Sequence, residues 1–253
     1  MNTTGQRAEQ ADAKPTIVLV HGAFADASSW NGVIERLQAL GYTVTAPANP
    51  LRGVTADSAY TASLLSQIDG PVLLAGHSYG GAVISSAGAS APNVVGLVFV
   101  AAFAPDEGER LGEVASESRD SVLNTAQVQY TYPAGPGGET AVEFGINPAL
   151  LREVFAADLP PETTALMGAT QRPVAAAAFT DVCGPPAWKK LPSWAVVATG
   201  DKAAGADIVR SMAQRAGADI VEVEGSHVIM ISQPQAVTDH IVKAAQATVG
   251  SGR

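Results

Sequence analysis

An α/β fold, built on a mainly parallel sheet of about six strands with helices on both faces, is the architecture this sequence predicts. Three observations carry the prediction. Short β-branched apolar runs recur along the chain, and most are continuously apolar rather than alternating, as in strands covered on both faces. Amphipathic helical patterns lie between them, and that alternation builds parallel sheets. Finally, 47% hydrophobic against 15% charged residues over 253 positions suffices to bury a large core, in one larger domain or two small ones.

The first run is T-I-V-L-V at 16–20, ending in His21-Gly22. A helix over 29–40 follows, with Trp30, Val33, Ile34, Leu37 and Leu40 on one face and Gly41 closing it. The second run, Y-T-V-T-A at 42–46, stops at Pro47. Residues 55–69 repeat the helical pattern with Ala59, Ala62, Leu65 and Ile68, ended by Gly70-Pro71. The third run is 72–75 and leads through Ser78 to a helix over 80–91. The fourth is V-V-G-L-V-F-V-A at 94–101, the fifth W-A-V-V-A at 194–198, and the sixth D-I-V-E-V at 219–223. Helices are expected at 206–215 and at 235–249, the latter facing inward with Val237, Ile241, Ala244 and Ala245.

Residues 104–190 break this rhythm. They hold many prolines and glycines, including P-A-G-P-G-G at 133–138, no clear strand, and helical patterns near 147–157 and 161–171. So long an interruption in a compact domain is often functional. The expectation is a mostly helical cap over 104–190, inserted between the fourth and fifth strands and unable to fold alone. The core then spans 15–103 and 191–253, and the polar residues 1–14 form a flexible tail. No internal repeat is present.

A net charge of −9 argues against nucleic acid or anionic membrane as a partner, since both need a basic face. The N-terminus lacks the apolar core of a signal peptide, and the longest apolar runs are too short to span a membrane. The single cysteine, Cys183, permits no intramolecular disulfide and reads as a half-buried structural thiol. The expected location is cytoplasmic.

The chemistry centres on L-L-A-G-H-S-Y-G-G-A-V at 73–83. Gly76, Ser78 and Gly80 match G-x-S-x-G between an expected strand and an expected helix, where a serine is held out on a strained turn. Such a serine needs a base and a group to orient that base. Of four histidines, His77 adjoins Ser78 and points elsewhere, His21 braces a loop, and His240 lies solvated on the last helix. His227 follows the sixth strand in E-G-S-H-V, where parallel sheets place ligands, and is the candidate base. The candidate acid is Asp201, after the fifth strand in V-V-A-T-G-D-K, with Asp106 after the fourth strand as its rival. Asp207 reads as a helix-starting residue, and Glu222 and Glu224 as solvated strand residues. The backbone N–H of Tyr79 and that of Ala23, in H-G-A-F-A-D at 21–26, are the expected oxyanion donors, with Phe24 the alternative to Ala23.

The motifs H-G-A-F-A-D-A-S-S-W, G-H-S-Y-G-G, T-G-D and G-S-H come in the order Ser78, Asp201, His227, and the chain resembles the α/β-hydrolase superfamily from Lys14 onward. Two usual leading strands are absent, because His21-Gly22 comes so early. In this the chain is similar to the compact subgroup of small bacterial esterases, plant methyl esterases, methylketone-synthase-type thioesterases and hydroxynitrile lyases. The lyases of that subgroup carry a threonine in the oxyanion loop and a lysine after the catalytic histidine. Gly22 and Val228 stand here, which favours ester hydrolysis.

The resemblance thus implies a serine hydrolase cleaving small to medium uncharged carboxylic esters or lactones through an acyl-enzyme. Two alternatives stay open: a lyase or cofactor-free perhydrolase on the same triad, and a non-catalytic small-molecule binding protein. Candidate pocket residues are Trp30, Phe24, Tyr130, Phe155 and Met167, with Trp30 equally suited to the core; Tyr132, Phe144 and Phe179 are further cap aromatics. Arg119, Arg152 and Arg172 read as surface residues. No H-E-x-x-H, paired cysteines or G-x-G-x-x-G after the first strand occurs, so neither metal nor dinucleotide is expected and no cofactor is implied. The expected partner is a small-molecule ester, with no nucleic acid or membrane, and the chain is either a monomer or a homodimer.

Overall fold

The computed structural model describes residues 14–249; the expected tail, apart from Lys14, lies outside the described residues. The chain begins with β1 (Thr16–Val20), a 3-10 turn (Ala27–Trp30) and α1 (Asn31–Ala39). Then come β2 (Val44–Thr45), α2 (Val54–Leu65), β3 (Val72–His77), α3 (Tyr79–Ser90) and β4 (Val94–Val100). The next stretch holds α4 (Leu111–Ser116), β5 (Gln127–Pro133), β6 (Thr140–Ile146), α5 (Pro148–Phe155), α6 (Pro161–Thr170), β7 (Val174–Ala175) and α7 (Ala177–Thr180). It closes with β8 (Ser193–Ala198), α8 (Ala206–Arg215), β9 (Asp219–Val223), α9 (Ile229–Ser232) and α10 (Pro234–Thr248).

Six strands form a sheet of order β2-β1-β3-β4-β8-β9, and every neighbouring pair is parallel. The continuous apolar runs follow from coverage on both faces: α2 and α3 pack together on one side, α1 and α10 on the other. Every residue of β3 and of β8 is buried as a result. On α1, Val33 and Leu37 point into this core. Leu40, expected on the same face, is exposed beyond the helix end, where its carbonyl accepts from Lys14 Nζ at 3.0 Å.

The strand order places the site. From β1 the chain moves outward to β2, then returns to the opposite side of β1 as β3. The loops leaving β1 and β3 therefore diverge, and a crevice opens at their carboxyl ends. The loop after β1 holds Gly22 and Ala23; the loop after β3 holds Ser78. Asp201 and His227 follow β8 and β9 at the same edge.

The stretch between β4 and β8 departs from the expectation of no clear strand. There β5, β6 and β7 form a three-stranded antiparallel sheet, and P-A-G-P-G-G is the hairpin connection, with Ala134 N–H donating to the Glu139 carbonyl at 2.8 Å. The physical reason is coverage. The segments Q-V-Q-Y-T-Y-P and T-A-V-E-F-G-I are largely half-exposed, so they mix polar with β-branched and aromatic residues instead of forming an apolar run. This small sheet is tied to the core by the loop before α2. Ala175 N–H donates to the Leu51 carbonyl at 2.9 Å, Arg52 pairs with Glu143 at 2.6 Å, and its guanidinium lies 4.3 Å from the Tyr132 ring centre.

Candidate active site

Ser78 sits on the bend between β3 and α3 with φ 53° and ψ −123°, a conformation that costs a non-glycine residue about 1–3 kcal/mol. Its backbone is held there by three bonds. Its N–H donates to the Val100 carbonyl at 3.3 Å, and its own carbonyl accepts from Gly81 at 2.9 Å and Phe103 at 3.2 Å. The bend also needs room: a β-carbon on Gly76 would lie 2.6 Å from the Gly80 carbonyl oxygen, and one on Gly22 would lie 2.7 Å from Ser78 Cβ. The glycines at these two points let α3 and the loop after β1 close on the serine.

His227 and Asp201 are both buried, and His227 Nδ1–H donates to Asp201 Oδ2 at 2.7 Å. The other carboxylate oxygen accepts from the backbone of Ala203 at 2.9 Å and Ala204 at 3.0 Å, which sets the carboxylate's orientation before it meets the imidazole. Nδ1 being engaged, Nε2 is the nitrogen left to serve the cavity that His227 and Ser78 both line. The loop before His227 is clasped from outside the sheet: Ser226 N–H donates to Asp158 Oδ2 at 2.9 Å, and its hydroxyl donates to Asp158 Oδ1.

His77 points away from the cavity into the core, as its neighbour-of-serine position suggests. Its Nε2–H donates to the His227 carbonyl at 3.0 Å, and the two rings lie 4.7 Å apart. Burial lowers its pKa well below the usual histidine value, with the nearby His227 adding to the effect, so it stays neutral. His21 braces the loop after β2, accepting from Asn49 N–H at 2.9 Å. His240 differs from the solvated reading: it is buried, and Nε2–H donates to the Asp219 carbonyl at 2.9 Å.

A second buried pair, which the sequence did not announce, lies under the start of α3. The Tyr79 hydroxyl donates to Asp57 Oδ2 at 2.7 Å, and both Asp57 oxygens accept from Arg52 N–H at 3.1 Å. Burial raises the pKa of each, and the Asp57 charge raises that of Tyr79 further. This pair anchors the residue that follows Ser78. Among the described residues, the backbone N–H groups of Ala23, Phe24 and Tyr79 have no acceptor within the protein.

The cavity holds about 320 Å³. Ala23, Phe24, Ser78, Tyr79 and His227 form its floor, and Phe103, Leu111, Leu123, Phe144, Phe155 and Phe179 line much of the rest. Among the described residues, no Asp, Glu, Lys or Arg lines it. Of the expected pocket residues, Phe24 and Phe155 line this cavity and three do not. Trp30 is fully buried at the end of the 3-10 turn, edge-on to His77 at 6.5 Å, so packing claims it. Tyr130 is 45% exposed, because it lies partway along β5, while Gln127 at the start of that strand reaches the cavity. Met167 lines a separate hollow of about 190 Å³. Phe103, Leu111 and Leu123 were missed; for Phe103 the available signal was its place just beyond β4, at the functional edge of the sheet.

The rival acid, Asp106, is paired with Lys189. Arg119 pairs with Asp207 at 3.9 Å, and Arg152 donates to the Leu159 carbonyl at 3.0 Å. Cys183 is buried, and burial pushes its thiol up to about 11, a value at which it is unreactive. Among the described residues, no helix is long and apolar enough to cross a membrane.

A family model described as the alpha/beta hydrolase family matches residues 17–240. The chain belongs to that family. No curated protein matches it. Among solved structures, polyneuridine aldehyde esterase superimposes with a TM-score of 0.78 at 21% identity, over 92% of this chain and 100% of the other. A mutant of methylketone synthase I from tomato gives 0.76 at 22%, over 93% and 99%. A methylesterase from Arabidopsis gives 0.72 at 19%, over 92% and 99%. At these identities the likeness establishes a shared fold across this α/β hydrolase.

Proposed function

We propose that this α/β hydrolase is a serine carboxylesterase that cleaves small to medium uncharged carboxylic esters or lactones through an acyl-enzyme. One observation carries the reading. A serine on a strained bend and a histidine seated on a buried carboxylate open onto one cavity that, among the described residues, no Asp, Glu, Lys or Arg lines. Residues 104–190 act as its cap, supplying most of the apolar wall.

In the proposed reaction His227 Nε2 takes the proton of Ser78 Oγ as that oxygen attacks the ester carbonyl carbon. The backbone N–H groups of Tyr79 and Ala23, with Phe24 as the alternative to Ala23, receive the oxyanion, each donor worth roughly 3–4 kcal/mol in the transition state. Asp201 holds the imidazolium. The carbonyl re-forms, the bond from the acyl carbon to the alkoxy oxygen breaks, and the alcohol leaves with the proton from His227. Water, deprotonated by His227, then attacks the acyl carbon; the bond to Ser78 Oγ breaks, Oγ takes the proton back from His227, and the acid is released. Buried Val228 beside His227 offers no charge to a departing anion, which favours hydrolysis over a lyase reaction.

The test is hydrolysis of p-nitrophenyl esters from acetyl to decanoyl by wild type and Ser78→Ala. Wild type is expected to turn over with a chain-length optimum, and the variant to lose about 10⁴-fold or more in kcat. Most activity surviving in Ser78→Ala, or no turnover by folded wild type, overturns the reading.

A further inference from the structure

Beside the main cavity lies the second hollow, of about 190 Å³, bordered by apolar Ala25, Met167, Val228 and Ile231 and by polar residues that include Asp26, Ser29, Thr170 and Gln171. Among the described residues, one lines both spaces: Phe24. The chain on either side of the divide shows the same split. Ala23 faces the main cavity and Ala25 the second; His227 faces the main cavity and Val228 the second. Two backbone segments therefore form a frame, and the Phe24 ring stands at it.

That ring is braced in place. Phe24 is buried and its backbone has φ 62°, in the left-handed region. Its ring meets Phe155 edge-on at 6.1 Å and 84°, and Phe155 in turn lies 5.0 Å from His227. A ring so packed is a wall and not a lid.

We propose that Phe24 is a specificity-determining partition: it closes the reaction cavity off from a latent subsite whose apolar side is Met167, Val228 and Ile231, and so limits the length of the acyl chain the enzyme accepts. The inference rests on the esterase reading for its consequence, and its geometry can be tested apart from it. Removing the ring joins the two spaces. Each further methylene that gains burial raises the preference for the longer substrate about fourfold.

The experiment compares the p-nitrophenyl ester series, butanoyl to dodecanoyl, on wild type, Phe24→Ala and the double variant Phe24→Ala/Met167→Trp, which refills the second hollow. The expected result is a rise of about tenfold or more in the long-to-short ratio of kcat/KM for Phe24→Ala, reversed in the double variant. A parallel arm uses unreactive N-propyl alkanamides of the same chain lengths on Ser78→Ala protein with and without the Phe24 change, read by thermal shift. The preferred length should move upward there too. An unchanged length profile in either arm, or one that the double variant leaves shifted, overturns the proposal. If wild type hydrolyses no ester, the esterase reading falls and the amide arm still decides the partition. Should Phe24→Ala lose its cooperative melting, Phe24→Leu carries the same comparison with a smaller shift.

Discussion

β3 hides all six of its residues, whereas β5, seven residues long, hides none. The first is a strut. Packed on both faces and hydrogen-bonded along both edges, it ends at a fixed point where Ser78 is pinned by Val100, Gly81 and Phe103. The second is a partition facing water on one side, and only its beginning, Gln127, reaches the cavity. The proposed nucleophilic chemistry needs reacting atoms placed to a fraction of an ångström, and a bend held by three backbone hydrogen bonds suits that need. Choosing a substrate needs a wall of suitable size and polarity, which a half-exposed, hairpin-built segment can supply. The two regions still touch where it matters. Val122 N–H donates to the Lys202 carbonyl at 2.8 Å, and Asp158 clasps Ser226, so the segment between β4 and β8 braces the loops that carry both Asp201 and His227.

The contrast can be broken most severely in the loop after β8, at the same edge of the sheet as the end of the strut. Asp201→Asn should lower kcat by about 10⁴-fold, because the amide favours the wrong imidazole tautomer, while thermal melting shows a folded protein. A loss under tenfold would mean that His227 needs no oriented partner. Next in size is a pair of truncations. Leu74→Ala, in the middle of β3, should cost about 2–5 kcal/mol in urea unfolding. Tyr130→Ala on β5 should stay within about 0.5 kcal/mol. Similar losses for the two would erase the distinction between strut and wall.

The smallest effect concerns pH. His21, His77 and His240 all have values lowered by burial from 6.5, so they are neutral in the fold. Unfolding exposes rings that bind protons more readily. The stability these groups contribute is therefore present above about 6.5 and lost as the pH falls through their lowered values. His240→Gln, which keeps a donor near the Asp219 carbonyl, should flatten the fall of Tm between pH 7 and 5. An unchanged slope would show that His240 takes no part in it.

Legibility in the sequence divides along the same line. Continuous apolar runs mark strands covered on both faces, so β1, β3, β4 and β8 stood out, and with them the turns holding Ser78, Asp201 and His227. β5 and β6 did not, because a strand covered on one side dilutes its apolar signal with polar residues; the alternation in Q-V-Q-Y-T-Y before a glycine-rich connection was the available cue. Trp30, Tyr130 and Met167 looked equivalent to Phe155 as large apolar residues, and only packing separates them. His240 sat at a helical position consistent with exposure until β9 closed over it. The Asp57–Tyr79 pair joins residues 22 apart on two helices, a contact no local pattern encodes.

The uncharged lining of the 320 Å³ cavity has a consequence for the direction of traffic. On the proposed reaction the molecule that enters is neutral, and one of the two that leave is an acid that ionises at neutral pH. An ester can shed its water among Phe103, Phe144 and Phe179 at little expense. A carboxylate there meets no Lys or Arg, and the His227 ring and a few backbone N–H groups replace only part of its hydration. On that reaction the same wall holds the neutral reactant more readily than the ionised product.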